Sequence, residues 1–142
     1  MYIVFKQLHS LIAYFTLALL IISIIYNTIS WQSKKPFTKR NKIMAMQGLI
    51  SVHIQLLIGL VLYFLSPLGS SNMSGEAMKN AMSRLFVLEH PLTMIIAIAL
   101  ITFGYSKAKR LTEDNLKYKK IVLFYTMGLL LIILRIPWNV WF

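Results

Sequence analysis

Four long apolar stretches alternate with polar connections along the chain, of which the first and third are short and the second is longer. The apolar stretches cover residues about 8–31, 43–66, 86–106 and 121–138. Each is close to the roughly 20 residues that a helix needs to cross the hydrocarbon core of a bilayer. In lipid each must be helical, because a helix satisfies its own backbone polar groups. The pattern predicts an all-α membrane protein with four transmembrane helices in one domain, residues 1–142.

Positive charge collects in two of the connections. Eleven of the 15 Lys and Arg residues lie in "SKKPFTKRNK" and "SKAKRLTEDNLKYKK", after the first and third apolar stretches. Basic loops remain on the cytoplasmic side of a membrane. We therefore expect an up-down-up-down four-helix bundle with both termini outside. Membrane topology explains the net charge of +11, so contact with the lipid bilayer is expected and a nucleic-acid partner is not.

The composition of the chain limits the class of protein and the kinds of site that are possible. The chain is 58% hydrophobic with a mean hydropathy of +0.68, above the range of soluble domains. It has no cysteine, which excludes disulfides, thiolate metal sites and covalently attached c-type haem. The connection before the third stretch carries apolar residues at helical spacing over about 75–85. We expect an amphipathic helix there, on the outer surface.

Three histidines are candidate cofactor ligands. On the helical period, His9 and His90 lie on inward-facing stripes of the first and third helices, at matching depth in the outer leaflet. His53 lies nearer the midplane; either it or the stripe opposite, which includes Gln47 and Gln55, faces inward. A b-type haem needs two imidazoles from facing helices. His9 and His90 are the favoured pair for the haem iron, with His53 as the alternative partner of His90.

An ionisable pair begins the third apolar stretch, in "FVLEHPLTM". An unpaired carboxylate is costly in lipid, so we predict that Glu89 pairs with Arg135 and thereby orients His90. Arg135 could instead hold a haem propionate, and two further cations lie near that level, Lys6 and Arg84. A simpler interpretation is a helix start, in which Pro91 occupies the first turn and Glu89 offsets the helix dipole.

The residues by themselves leave three functions open. The first is a haem protein, and the second is a cofactor-free subunit of a larger membrane complex. The third handles quinones or protons, with Glu89 and His53 in a relay. The eight methionines are scattered and indicate packing rather than copper, and histidines at different depths do not form a compact zinc site. No nucleotide motif or Ser/His/Asp arrangement is present, so an enzyme is not expected.

Several segments carry a family resemblance: "LHSLIAYF", "SVHIQLLIGLVLYFLSP", "AMSRLFVLEHPLTMIIAIALITFGYSKAKR" and "LLLIILRIPW". In these the chain resembles small four-helix membrane proteins of Bacteroidota, usually labelled cytochrome B or cytochrome b-like. The resemblance implies a b-type haem and electron transfer, with His9, His53 and His90 at the family's histidine positions. The family has an arginine shortly after the first histidine, as in HSYLRW. Here Ala13 and Tyr14 stand in that segment, and Arg135 would have to substitute for the arginine.

The prediction from these observations is a multi-pass protein of a bacterial inner membrane with periplasmic termini. It would hold haem b between two histidines and pass electrons for a partner or a quinone. The alternative is an accessory subunit without a cofactor. Other membrane protein subunits are expected partners in both cases.

Overall fold

The computed structural model describes residues 1–141, which form helices and turns with no β-strand among them. The helices are α1 (Tyr2–Gln32), α2 (Lys39–Leu65), α3 (Gly75–Lys79), α4 (Ala81–Arg84), α5 (His90–Arg110), α6 (Asp114–Arg135) and α7 (Trp138–Trp141). A 3₁₀ turn covers Ser70–Asn72, and a π-helical turn, Leu85–Glu89, joins α4 to α5 without a break. α1, α2 and α6 begin several residues before the predicted apolar stretches, because the residues that precede each stretch are helical too.

The four long helices form a bundle in which each packs against the next, and α6 packs back against α1. Hydrogen bonds between α1 and α2 show that the two run antiparallel. The Thr16 hydroxyl donates to the Ser51 carbonyl at 3.3 Å, and further along the Asn41 amide donates to the Asn27 side chain at 3.4 Å. In this order α1 and α5 lie diagonally opposite each other, as do α2 and α6.

Glycines allow α5 and α6 to approach closely. A Cβ placed on Gly128 would lie 2.5 Å from Ile101 Cγ1, and one on Gly104 would lie 2.5 Å from Phe124 Cβ. Small residues have this role at interfaces between membrane helices, where backbones come close. The buried apolar core has members on all four long helices: Leu20, Ala45, Val52, Ala97, Ile98, Ile101, Ala108, Ile121, Tyr125 and Ile132.

The predicted amphipathic helix over 75–85 is wrong as a single element. Asn80 has extended backbone angles (φ −101°, ψ 123°) and ends α3. Its side-chain oxygen accepts a hydrogen bond from the Ser83 N–H at 2.9 Å and so caps α4. Two short helices therefore replace the predicted one, because asparagine at this position caps a new helix instead of continuing the old one.

α1 ends in a tight turn built by lysines. The Lys35 N–H donates to the Ser30 carbonyl, and the Lys34 N–H donates to the Trp31 carbonyl, both at 3.0 Å. This is the Schellman pattern, in which the residue after the cap adopts a left-handed conformation. That residue is usually glycine, but here it is Lys34, with φ 55°. The turn leads directly into Pro36 and the start of α2.

Three segments are long and apolar enough to cross a membrane: Tyr2–Gln32, Lys39–Leu65 and the continuous helix Ala81–Arg110. Large apolar side chains cover their outer surfaces; Leu57 is 64% exposed and Phe64 69% exposed. Exposed apolar surface of this extent indicates a multi-pass membrane protein in contact with the bilayer. α6 differs in having lysines in its first two turns and an arginine at its end, so only 121–134 is free of charge.

Candidate functional site

His9 and His90 meet at the end of the bundle opposite the basic connections. Their ring centroids are 6.2 Å apart, and the ring planes cross at 89°. A metal ion binds an imidazole nitrogen at about 2 Å, and that nitrogen lies about 1.2 Å from the ring centre. Two imidazoles on opposite sides of one metal therefore have centres about 6.4 Å apart. The observed separation is close to that value, so the distance between the two rings is compatible with both imidazoles binding one metal.

A backbone carbonyl fixes the orientation of His90. Its Nδ1 lies 2.7 Å from the Arg135 carbonyl oxygen. A carbonyl only accepts, so Nδ1 carries the proton and Nε2 presents a lone pair. Metal-binding histidines commonly donate their other ring nitrogen in this way, which holds the ring and raises its basicity. The chain thus prepares His90 Nε2 as a ligand or proton acceptor.

The surroundings of His9 are closed on the α2 side. Gln55 donates its amide N–H to the His9 backbone carbonyl at 2.8 Å. Gly59 faces the imidazole, and a Cβ there would lie 3.0 Å from Cε1. His9 Nδ1 is buried, and no hydrogen-bond partner for it is found among residues 1–141. Buried polar atoms without a partner are rare in native proteins. This nitrogen faces α2, because a Cβ on Gly59 would lie 3.5 Å from it.

Two arginines share one carboxylate beside this histidine pair. Arg84 Nε lies 2.7 Å from Glu89 Oε1, and Arg135 Nε lies 3.5 Å from Glu89 Oε2. Arg84 also donates to the Met78 carbonyl at 2.9 Å. The contact that we expected between Glu89 and Arg135 is therefore present, but the shorter contact is with Arg84. Because the Arg135 carbonyl also accepts from His90, the cluster is connected to the histidine pair.

The π-helical turn explains why the sequence did not predict the Arg84–Glu89 contact. Residues five apart point in different directions on an α-helix, whose neighbours are three or four apart. In a π-turn the hydrogen bonds run from i+5 to i, and the His90 N–H donates to the Leu85 carbonyl in this way. The wider turn brings Arg84 and Glu89 to one side. Such turns occur frequently at functional sites.

Tyr63 supports the same segment, a role that no sequence pattern predicts. In α-helical register the Val87 carbonyl would accept from residue 91, but Pro91 has no N–H. The Tyr63 hydroxyl donates to that carbonyl at 2.8 Å. Inside a membrane a freed backbone group needs such a replacement. Tyr63 therefore connects α2 to the helix that carries His90.

His53 lies elsewhere, on the outer surface between α2 and α5. Its Nδ1 lies 2.8 Å from the Leu49 carbonyl, and its Nε2 lies 3.3 Å from the Thr102 hydroxyl. Thr102 is twelve residues beyond His90, which is about 18 Å along a helix. The structure therefore does not bring His53 to His90. On α2 it is Gln55 that faces α1, while Gln47 and His53 are exposed.

The segment that follows His9 makes an aromatic contact with the C-terminal turn. Tyr14 stacks on Trp141 with ring centroids 4.6 Å apart, and the Trp141 indole N–H donates to Ser10 Oγ at 2.7 Å. The C-terminal turn thus packs on α1 one turn beyond His9. Lys6, on the preceding turn of α1, is exposed.

Comparisons with protein-family models, with curated proteins and with solved structures found no match to this chain. Within residues 1–141, no three His, Asp or Glu side chains converge on one point. The candidate site therefore consists of two facing imidazoles.

Proposed function

We propose that the protein binds one b-type haem in a bacterial inner membrane, and that His9 and His90 would hold it. The separation of their rings, 6.2 Å between centroids, is the observation that carries the proposal. The hydrogen bond from His90 Nδ1 to the Arg135 carbonyl supports it, because it leaves Nε2 free. The resemblance to cytochrome b-like proteins points the same way.

A bound haem would supply one-electron redox chemistry, and the chain's own residues would hold and tune it. The Arg135 carbonyl keeps His90 in one tautomer. Gly59 leaves room for the His9 imidazole against α2. Arg84 and Arg135 place positive charge near the site, and Glu89 compensates part of it. Electrons would pass to a partner protein or a quinone, because the described chain offers no catalytic arrangement of its own.

We propose that α6 spans the membrane with the other three long helices. It packs against α5 and α1 along its length, and several of its apolar side chains are exposed; Leu130 is 56% exposed and Leu134 64% exposed. Its flanking cations would snorkel to the two interfaces. Both basic connections would then be cytoplasmic and both termini periplasmic.

Histidine variants of the purified protein test the ligand assignment. Haem content and the reduced spectrum should be lost in His90→Ala and in His9→Ala. His53→Ala is the matched control, because it also removes an imidazole from the bundle. His53 lies beside Thr102, which is about 18 Å along α5 from His90. Haem retained in His9→Ala but lost in His53→Ala would overturn the assignment.

A second candidate function, an accessory subunit of a membrane complex, has one observation in its favour. His53 and Thr102 form a polar pair on an otherwise apolar outer surface. Polar side chains at this depth usually face protein rather than lipid. A partner helix covering the pair would remove the free-energy cost of exposing these polar side chains to lipid. Mild solubilisation should then recover a particle larger than a monomer, which His53→Leu would dissociate; a monomer in native membranes would rule this candidate out.

A further inference from the structure

A cleft of about 480 Å³ opens at the basic end of the bundle, between the last turns of α1 and the first turn of α2. Cations, polar groups and apolar groups line different parts of it. The residues on which the inference depends are Tyr26, Ile29, Ser30, Lys35, Thr38 and Arg40. The cleft lies at the far end of the bundle from the histidine pair, and the proposed haem function makes no use of it.

The positive charge of this cleft is not neutralised by the chain. The ion pairs found among residues 1–141 both involve Glu89, at the opposite end of the bundle. Lys35 and Arg40 therefore have no carboxylate within ion-pairing distance in the part of the chain that the structure describes. Charges left unpaired beside a cleft attract an anion.

The start of α2 adds to the positive electrostatic potential at the cleft. Its first four residues include Lys39, Arg40 and Lys42, and its first turn contains no acidic residue. The N-terminus of a helix is the positive end of its dipole, where acidic residues are favourable and cations are not. The cations at this end of the helix are therefore unfavourable, although Thr38 and Asn41 cap its start, and a nearby anion would offset them. An anion in the cleft would lie near both the cations and the end of the helix.

An apolar track on α1 indicates the kind of anion. Ile29, in the wall of the cleft, is 55% exposed; Ile25 and Ile22, on the same side of the helix, are 51% and 48% exposed. Their spacing of four and three residues makes a continuous stripe leading away from the cleft. We propose that the cleft binds the phosphate of an acidic phospholipid, whose acyl chain lies along this stripe. A free phosphate would leave the stripe unused.

Lipid titration followed by native mass spectrometry tests the proposal. The probe is phosphatidylglycerol added to the detergent-solubilised protein, with phosphatidylcholine and inorganic phosphate in parallel. A basic residue near anionic lipid contributes about 1 kcal/mol, so removing two should weaken phosphatidylglycerol binding about thirtyfold. The test variant is Lys35→Gln with Arg40→Gln. Its matched control is Lys119→Gln with Arg110→Gln, an equal change of charge at two exposed positions of the other basic connection.

The outcomes separate the sources of the anion. Thirtyfold weaker binding in the test variant, with less than a threefold change in the control, supports the site. Equal losses in both variants overturn it, because binding would then follow total charge. Phosphatidylcholine binding as tightly as phosphatidylglycerol also overturns it. A third outcome is that inorganic phosphate displaces the lipid at equal concentration, and that neither Ile25→Ser nor Ile29→Ser changes phosphatidylglycerol binding. This result would assign the cleft to a free phosphate and refute the lipid proposal.

Discussion

Removing one hydroxyl, in Tyr63→Phe, tests how the segment that carries His90 is held. The Tyr63 hydroxyl donates to the Val87 carbonyl at 2.8 Å, and Pro91 cannot supply the helical N–H that would otherwise bond it. Leaving a buried carbonyl unpaired costs about 1–3 kcal/mol. Hydrogen bonds between membrane helices average about 0.6 kcal/mol, with a maximum of about 1.7. We therefore expect Tyr63→Phe to lower the free energy of unfolding by about 1–1.5 kcal/mol.

The assay is reversible unfolding in mixed micelles, followed by circular dichroism, in a double-mutant cycle with Pro91→Ala. Alanine at position 91 restores an N–H for the Val87 carbonyl, so the tyrosine hydroxyl becomes dispensable. In the Pro91→Ala background, Tyr63→Phe should cost less than about 0.5 kcal/mol. An equal cost in both backgrounds would refute the explanation, because the hydroxyl would then act independently of the proline.

Three further predictions concern packing, backbone strain and charge. Gly128→Ala should destabilise the bundle by about 1–3 kcal/mol, because the new Cβ would lie 2.5 Å from Ile101 Cγ1; Gly75→Ala, with no neighbouring atom within 4 Å, is its control in the same unfolding assay. Lys34→Gly should raise the free energy of unfolding by up to about 1 kcal/mol by relieving the left-handed backbone; a loss of stability would contradict this. Glu89→Gln should shift the haem potential upward in a redox titration, because a negative charge near the site is removed; an unchanged potential would separate the ion-pair cluster from the haem.

The helical period and the short connections account for much of the site. The short first and third connections force α2 back beside α1 and α6 back beside α5, and an up-down-up-down order then makes the first and third long helices parallel and diagonal. With that arrangement, two histidines on inward faces at equal depth must approach each other, and His9 and His90 do. The presence of three apolar helices long enough to cross a membrane was also predictable, since length and composition determine it. Whether α6 also spans the membrane stays a prediction.

Other features could not be obtained from an α-helical period. The Arg84–Glu89 ion pair depends on a π-turn, and only that wider turn brings residues five apart together. The position of His53 was undecided because α2 carries polar residues on opposite sides; the hydrogen bond from Gln55 to α1 shows which side faces inward. The break at Asn80 occurs because its side chain caps α4. This capping competes with the regular apolar spacing, which favours one continuous helix.

The most direct test of the central claim is a reduced-minus-oxidised difference spectrum of protein purified in mild detergent from haem-replete cells. The account predicts a Soret band and the spectrum of a low-spin, six-coordinate b-type haem, with one extractable haem per chain. The signal should disappear in His9→Ala and His90→Ala and persist in His53→Ala. A purified, folded protein without a Soret band and without extractable haem would contradict the account.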